Sequence, residues 1–558
     1  MACWKANSLS KDGRLTLIKA NNITVCLINH IFSCFKCPSN LAHKLDSLSR
    51  DFFWGSSKSR PVAWADICTP KNLGGLGIRP FLHFNQAALA KLGWKILTQP
   101  ENLWVRIMKA KYLRKSSFFD TKSRPSHSVA WKGILSSRHI ILDGLRWIVG
   151  DGNCINFWKF NWCYSVPLIN FVDDSKKHLI NENDLVSKFI KDGKWFLEEV
   201  ENILPVEVIQ SIQAVPIPYF SHSDQFIWGP NSNGNFSIRS AADLLMANKT
   251  AHSNASSMKI IWKLQIPPKI KIFAWQLFRS RIPTRDLIYT NAPIDRSCPF
   301  CHSDIETIDH IFYNCSDTKI IGNSVFTNSV DTISSNSILE VLKLIQNDPE
   351  IFSKCLITLY CIWKARNDVV FNNKTLDHTR IIFTAAHLFK NYFKDKKNEE
   401  KHINRNVENI CWKPPDRDKI KLNFDGSVSD IATAGFILRN HDGVPLLASA
   451  KKIGRTNVLC AEASALRAGL LAVWIHGHQN VQVEGDSKTL IDCINNKCKI
   501  PWRIRTFIQD IKAISRNFQN IGFKHIWREP NFAADAVARV GHEVEVASWS
   551  LHFPSLVN

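Results

Sequence analysis

Asp425 in NFDGS, Glu462 in CAEASALRAG, Asp486 in VEGDS and Asp535 in REPNFAADAVA form an ordered set of carboxylates toward the end of the chain. Acids that end neighbouring strands point the same way, and one on a helix packed over that sheet meets them, so the four are expected to converge in one cleft. Carboxylates at that distance repel and raise one another's pKa unless cations neutralise them. Hard oxygen ligands suit Mg2+ or Mn2+, and two such ions about 4 Å apart would clamp the attacking and leaving oxygens of a phosphoryl displacement. A second group, Cys298, Cys301, His310 and Cys315, has the spacing C-x2-C-x8-H-x4-C. Two thiolates two residues apart grip one side of a tetrahedral Zn2+, and the histidine and last cysteine close the other, leaving no open position for catalysis. The segment is short and polar, and is expected to depend on that metal for its fold.

The elements that carry these groups follow from periodicity. Beyond residue 415, Ile420 to Phe424, Gly435 to Leu438 and Leu446 to Ala448 read as three antiparallel strands, the last two flanking Asp442-Gly443. A helix over Ala461 to Trp474, a strand at Val481 to Val483, a helix from Thr489 to Ile494, a strand from Phe523 to Trp527 and a closing helix from Asn531 to Val540 complete a mixed α/β sheet. Before the cysteines, Phe226 to Trp228 and Phe236 to Ile238 around Asn233-Gly234 predict a hairpin, and so does RWIVGDGNCINFWKFNW over Arg146 to Trp162. Trp147, Trp158 and Trp162 in that stretch are expected in a core. From Met1 to about Leu113 apolar residues recur at helical spacing, interrupted by the loop Gly74-Gly75-Leu76-Gly77. Phe393 to Asn406 is charged enough for a solvated helix end or linker.

Several stretches together resemble one family. NFDGS, AEASAL, EGDS and N-x-x-AD are similar to a ribonuclease H domain of plant LINE-type (non-LTR) retrotransposons, over about Lys419 to Gly541. WKLQIPPKIKIFAWQLFRSRIPTRDLI and ETIDHIFYNC resemble the zinc-binding region that follows the polymerase in plant LINE-like reverse transcriptases. LSKDGRLTLIKA, FFWG, VAWADICTPKNLGGLGI and GDGNCINFWKFNW resemble the segment between the polymerase and the zinc-binding region, with Phe160 where the family usually has Asp. The resemblance implies metal-binding catalytic acids at Asp425, Glu462, Asp486 and Asp535, and zinc ligands at Cys298, Cys301, His310 and Cys315. It also implies endonucleolytic cleavage of the RNA strand of an RNA–DNA hybrid. Contacts to the 2′-OH are expected from groups such as Gly426, Ser427 or Ser487, while His525 and His542, candidates for a mobile histidine, sit in no motif that matches. The expected architecture is multidomain α+β: a helical post-polymerase remnant (1–115), a Trp-rich connecting region (116–230), a zinc-binding domain (231–320), a helical segment with a charged linker (321–415) and a mixed α/β ribonuclease H-like domain (416–545).

Composition agrees with that reading. A chain of 558 residues, 45% apolar, is expected to form roughly three to five packed units at about 100–200 residues each. Lys and Arg exceed Asp and Glu by 71 to 49, which points to a polyanionic partner. Lys263, Lys269, Lys271, Arg279, Arg281 and Arg285 could track phosphates or form a solvated basic face. Leu15 to Phe32 comes nearest to a membrane span but contains Lys19 and three Asn, so no membrane partner or signal peptide is expected. Sixteen irregular Cys, four with metal spacing, suit reduced thiols, and with the charge suggest an intracellular, nuclear protein. His30, Cys34, Cys37 and His43 read as packing residues in an apolar helix. Phe171-Val172-Asp173-Asp174 mimics the aromatic-x-Asp-Asp turn of reverse transcriptases, but the palm's third acid and flanking strands are not evident, so polymerase activity is not expected, and a separate reverse transcriptase is a candidate partner. Two rivals remain from the sequence: a catalytically silent nucleic-acid-binding remnant, and a resolvase or integrase on the same fold.

Overall fold

A computed structural model describes residues 9–24, 31–55, 60–114, 116–247, 254–289, 295–325, 337–400, 411–544 and 546–550. The chain divides into two compact units, each built of two stretches: Met1–Ser137 with Ala242–Asn404, and Arg138–Ala241 with Arg405–Asn558. Of the expected charged linker, residues 401–406 lie outside the described residues, and the part before them ends the helix His378–Glu400.

The first unit is helical. Helices Lys11–Thr24 and Ser39–Trp54 place Leu15, Ile18, Phe52 and Phe53 against α1 (Pro268–Phe278), whose Ile270, Phe273, Trp275 and Leu277 are buried. Pro at the first position of α1 suits a helix start, where its missing N–H removes no hydrogen bond. The glycine loop at 74–77 is used by α1, since Trp275 Nε1 donates to the Gly74 carbonyl at 2.9 Å and Arg279 to the same oxygen at 3.0 Å. After the cysteine segment come α2 (Ser316–Val325) and α3 (Pro349–Asn372). The segment does not stand alone, contrary to expectation: Ile311 and Phe312 join the core of α1 and α3. Arg366 of α3, 3% exposed in its side chain, also makes a bidentate pair with the fully buried Glu306 at 2.6 and 2.7 Å. Cys37 is buried as a packing residue and donates its N–H to Asn85, His43 is exposed, and His30 lies outside the described residues.

The second unit is a six-stranded sheet with helices on it and the Trp-rich stretch beside it. Its strands are β1 (Ile420–Val428), β2 (Ala432–Arg439), β3 (Pro445–Gly454), β4 (Asn480–Gly485), β5 (Asn520–His525) and β6 (Val546–Ser550). They are ordered β6-β3-β2-β1-β4-β5, with β1–β4 and β4–β5 parallel and the rest antiparallel. The helices are α4 (Val458–Ile475), α5 (Lys488–Ile494), α6 (Arg505–Ser515) and α7 (Phe532–Val540). Successive strand residues face opposite sides. A Cβ on Gly435 would meet the Ala538 backbone of α7 at 2.4 Å, and Phe436 packs on α4 at Gly469, so the two helices cover opposite faces. The α4 segment, and not Leu15 to Phe32, is the described helix long and apolar enough to cross a membrane; it carries Glu462 and Arg467 and is the core helix of this sheet.

Both hairpins expected in the Trp-rich stretch are absent. Strand Leu145–Ile148 pairs antiparallel with Gln225–Trp228 instead. The reason is Asp224: its carboxylate accepts the N–H groups of Gly150, Gly152 and Cys154 at 2.7 to 3.0 Å, so the glycine turn is closed by a residue far along the chain. Around Asn233-Gly234 the chain only turns, with Trp228 N–H donating to Gly234, and then enters helix Ile238–Ala247. Trp158 and Trp162 are core as expected, whereas Trp147 is half-buried and stacks on Phe160. Phe171 and Asp174 lie on short 3-10 turns, with Asp174 solvated and paired to Lys177. Buried Asp510 of α6 accepts the Tyr219 N–H and the Arg467 guanidinium, joining the stretch to the sheet domain.

Two substitutions test these contacts. Arg366→Met leaves Glu306 as an uncompensated buried charge and should lower the unfolding free energy by about 3–5 kcal/mol, with much of the loss recovered in the Arg366→Met/Glu306→Leu double variant. Gly435→Ala drives a methyl into the α7 backbone and should cost about 1–3 kcal/mol in urea unfolding.

Candidate metal centres

Residues 297–305 fold into a knuckle. Cys298 N–H donates to Asp304 at 2.7 Å, Ser297 bridges Ile305, and His302 takes a left-handed conformation at φ 56°. The other two candidate ligands come from a π-helical turn, His310–Asn314, in which Cys315 N–H donates back five residues to His310. In an α-helix positions five apart diverge by about 140°, from 3.6 residues per turn; the wider π turn brings His310 and Cys315 back to one side. One ligand atom from each of Cys298, Cys301, His310 and Cys315 lies within 4.8 Å of every other. Cys301 Sγ is 3.3 Å from His310 Nε2, and the Cys298 and Cys315 sulfurs are 3.9 Å apart. The Cys298–Cys315 sulfur contact lowers the Cys315 pKa to about 5, and backbone N–H groups of Thr318 and Asp317 at the start of α2 add to it. On the far side of the ring, His310 Nδ1 faces Asp304 at 3.7 Å, where a carboxylate orients a ligating imidazole. Three thiols and an imidazole, mostly buried and mutually in reach, suit a soft or borderline cation in tetrahedral coordination.

Of the six basic residues before the knuckle, three are engaged internally. Arg279 binds Gly74, Lys271 donates to the Trp262 carbonyl, and Arg285 binds Glu306, Asp295 and Ser297. Lys263, Lys269 and Arg281 remain exposed, Lys269 over the ring of Tyr360.

The acidic centre is set by the sheet. Asn423 of β1 is in register with Glu484 of parallel β4, so two residues on, Asp425 and Asp486 lie side by side; Asp425 sits inside β1, not at its end as expected, and Asp486 just past the end of β4. Glu462 lies in the first turns of α4, which Asn457 caps by accepting the Cys460 N–H. A Cβ on Gly426 would sit 2.5 Å from the Glu462 nitrogen, so glycine there lets the helix rest on the β1 backbone. Oxygens of Asp425, Glu462 and Asp486 lie within 4.8 Å of one another. Burial, reinforced first by the Asp486 charge, pushes Asp425 up to about 7 even though its carboxylate accepts the Gly426 N–H. Burial and Asp486 likewise push Glu462 up to about 7 against the Ser487 hydrogen bond. Three crowded carboxylates that the protein itself leaves short of compensation form a donor set suited to hard divalent cations.

Asp535 stands apart from this trio. It is on α7, near enough to raise Asp425, but its oxygens pair with Arg539 at 2.8 Å and Arg528 at 3.4 Å. His525 Nε2 is 3.1 Å from the Asp486 carbonyl, and His542 Nε2 is 2.9 Å from Ser427 Oγ. Two positioning groups escaped notice in the sequence. Buried Asn531 donates to the Phe424 carbonyl at 3.0 Å and to Asp486 at 3.4 Å, holding the start of α7 to both strands. Lys421 and Glu484 form a buried pair at 3.0 Å beneath the site, with Trp412 over Lys421. Asn531 opens the N-x-x-AD motif and could have been weighed; Lys421 and Glu484 look like ordinary strand charges.

Residues 423–541 match the family described as reverse transcriptase-like, and residues 236–321 the family described as zinc-binding in reverse transcriptase. The Arabidopsis thaliana protein At1g65750, which its name designates a ribonuclease H protein without established activity, is 26% identical over 96% of this chain and 90% of its own length. An uncharacterised Arabidopsis thaliana mitochondrial protein, AtMg00310, is 34% identical over 24% of this chain and 90% of its own. Among solved structures, ribonuclease H1 of Halobacterium salinarum is 24% identical over 22% of this chain and 98% of that one, with a TM-score of 0.22. The first match frames all four acids and the second all four cysteine and histidine ligands. The chain belongs to the family of C-terminal regions of plant LINE-type retrotransposon reverse transcriptases, in which a zinc-binding module precedes a ribonuclease H-like domain.

Proposed function

We propose that the second unit is an RNA–DNA hybrid ribonuclease using two Mg2+ or Mn2+ ions, and that the cysteine cluster holds a structural Zn2+. The observation that carries the first part is the convergence of Asp425, Glu462 and Asp486, in which burial and the Asp486 charge raise the pKa of Asp425 and Glu462. Divalent ions held there would lower the pKa of an attacking water and stabilise the departing 3′ oxygen of the RNA strand. The chain's own contribution is placement. Gly426 lets α4 bring Glu462 to the strand ends, Ser487 hydrogen bonds that carboxyl, and Asn531 steadies Asp486. Gly426, Ser427 and Ser487 border the trio and are the groups placed to meet a 2′-OH; Ser427 is held by His542. The net positive chain favours approach of a polyanion. For the cluster, three thiolates and one imidazole complete a closed tetrahedral set, with Asp304 behind His310.

The pairing of Asp535 with two arginines favours a second reading, a nucleic-acid-binding remnant that no longer cuts. A hybrid with a labelled RNA strand separates them. Mg2+-dependent cleavage, reduced at least about 100-fold by Asp425→Asn or Asp486→Asn as for loss of a group essential to charge stabilisation, supports the nuclease. Mg2+-dependent hybrid binding without cleavage supports the remnant, and preference for junction or plain duplex DNA supports a resolvase-like enzyme.

The metal requirement is also legible in stability. Asp425 and Glu462 stand at about 7 in the fold against ordinary values of 3.8 and 4.5. Between those limits the folded chain holds more protons than the unfolded one, so stability without metal should fall as pH rises through that window, with no cost below it and the full cost above. At pH 8 without metal, Asp425→Asn should therefore raise Tm, by an amount equivalent to on the order of 1–2 kcal/mol, while the Mg2+-induced rise seen in the unsubstituted protein should vanish. Calorimetry at pH 5 and pH 8 with and without Mg2+ reads both effects.

A further inference from the structure

Away from both metal centres, Cys493 and Cys498 face each other with their sulfurs 3.3 Å apart. Cys493 is fully buried in the last turn of α5, whereas Cys498 is exposed on the loop that follows. The loop is folded back by design of its backbone: Asn496 is left-handed at φ 59°, Lys497 N–H donates to Asp492 at 2.8 Å, and Lys512 reaches across to the Asn496 side chain at 2.5 Å. Among the described residues the other sulfur pair in contact, Cys298 with Cys315, belongs to the metal cluster. A disulfide needs sulfurs about 2.05 Å apart, so roughly 1 Å of movement by a side chain on a surface loop would close the bond.

We propose that Cys493 and Cys498 are a redox-active dithiol, which a peroxide converts to an intramolecular disulfide. The two cysteines have different parts. Cys498 is the exposed partner and meets the peroxide first. Burial pushes the Cys493 thiol up to about 12, so it stays protonated until a partner sulfur is activated. The Cys498 thiolate attacks one peroxide oxygen; the S–O bond forms, the O–O bond breaks, and the leaving hydroxide takes a proton to become water. The Cys493 sulfur then attacks the resulting sulfenic sulfur; the S–S bond forms, the S–O bond breaks, and the departing hydroxide leaves as water with the Cys493 proton. Two thiols are oxidised and one peroxide is reduced to two waters. A transient pair of this type is what a reducing compartment permits.

Trypsin makes the test specific, because cleavage at Lys488, Lys497 and Lys499 puts the two sulfurs on separate peptides, TLIDCINNK and CK. The full-length, zinc-loaded protein is treated with hydrogen peroxide, alkylated, digested and mapped by mass spectrometry. The expected result is a linked peptide pair, two hydrogens lighter than its parts, that disappears on reduction and does not form in Cys498→Ser. Exposed Cys154 and Cys411, which have no thiol in contact among the described residues, should instead give sulfenic acid that dimedone traps. The proposal is overturned if Cys498 is trapped by dimedone to the same extent as Cys154 and no linked pair is found.

Discussion

Mutual repulsion among Asp425, Glu462 and Asp486 is the constraint around which the second unit is organised. Left to solvent, such acids would separate. They stay together because each is attached to something that cannot move without breaking the sheet: a central strand, the core helix α4 and the end of β4. The fold supplies partial relief through the Gly426 N–H, the Ser487 hydroxyl and Asn531, and leaves the remainder uncompensated. That residue of unfavourable charge is what a bound divalent cation would relieve.

The cysteine cluster solves a different problem with the same economy of means. Its ligands come from two local turns, a knuckle and a π turn, neither of which has a core of its own. Anchorage is borrowed from α3 through the buried Glu306–Arg366 pair and from α1 through Ile311 and Phe312. A metal ion there would lock turns already placed by their neighbours, so binding and folding are less tightly joined than in a free-standing finger.

Much of this was legible in the sequence where short-range chemistry decides the outcome. The first five strands of the sheet domain, the long helix carrying Glu462 and the knuckle follow from periodicity and spacing, whereas the edge strand Val546–Ser550 was not expected. Pairings made at a distance were not. The Arg146 to Trp162 stretch alternates as a hairpin should, yet Asp224 captures its glycine turn and Gln225–Trp228 takes the place beside Leu145–Ile148. Asp535 could be placed on its helix from sequence, but not the direction of its carboxylate, which depends on Arg539 one turn on and on Arg528, seven residues back and ahead of α7. Helix α6 is not among the expected elements, although Phe507, Ile508, Ile511 and Ile514 of Arg505–Ser515 recur at helical spacing.

The junction at Asp510 bears on where this chain can be cut. Its buried carboxylate is satisfied from both sides, by Arg467 within the sheet domain and by the amide of Tyr219, a residue well outside the segment matched to the reverse transcriptase-like family. Trp502 and Arg455 likewise donate their backbone N–H groups to Ser232 and Gln210. A fragment trimmed to the family's limits would expose those donors and strip an amide from an interior acid. The natural excision for handling the sheet domain in isolation therefore retains the tryptophan-rich stretch, whose role is that of a brace fitted to the sheet.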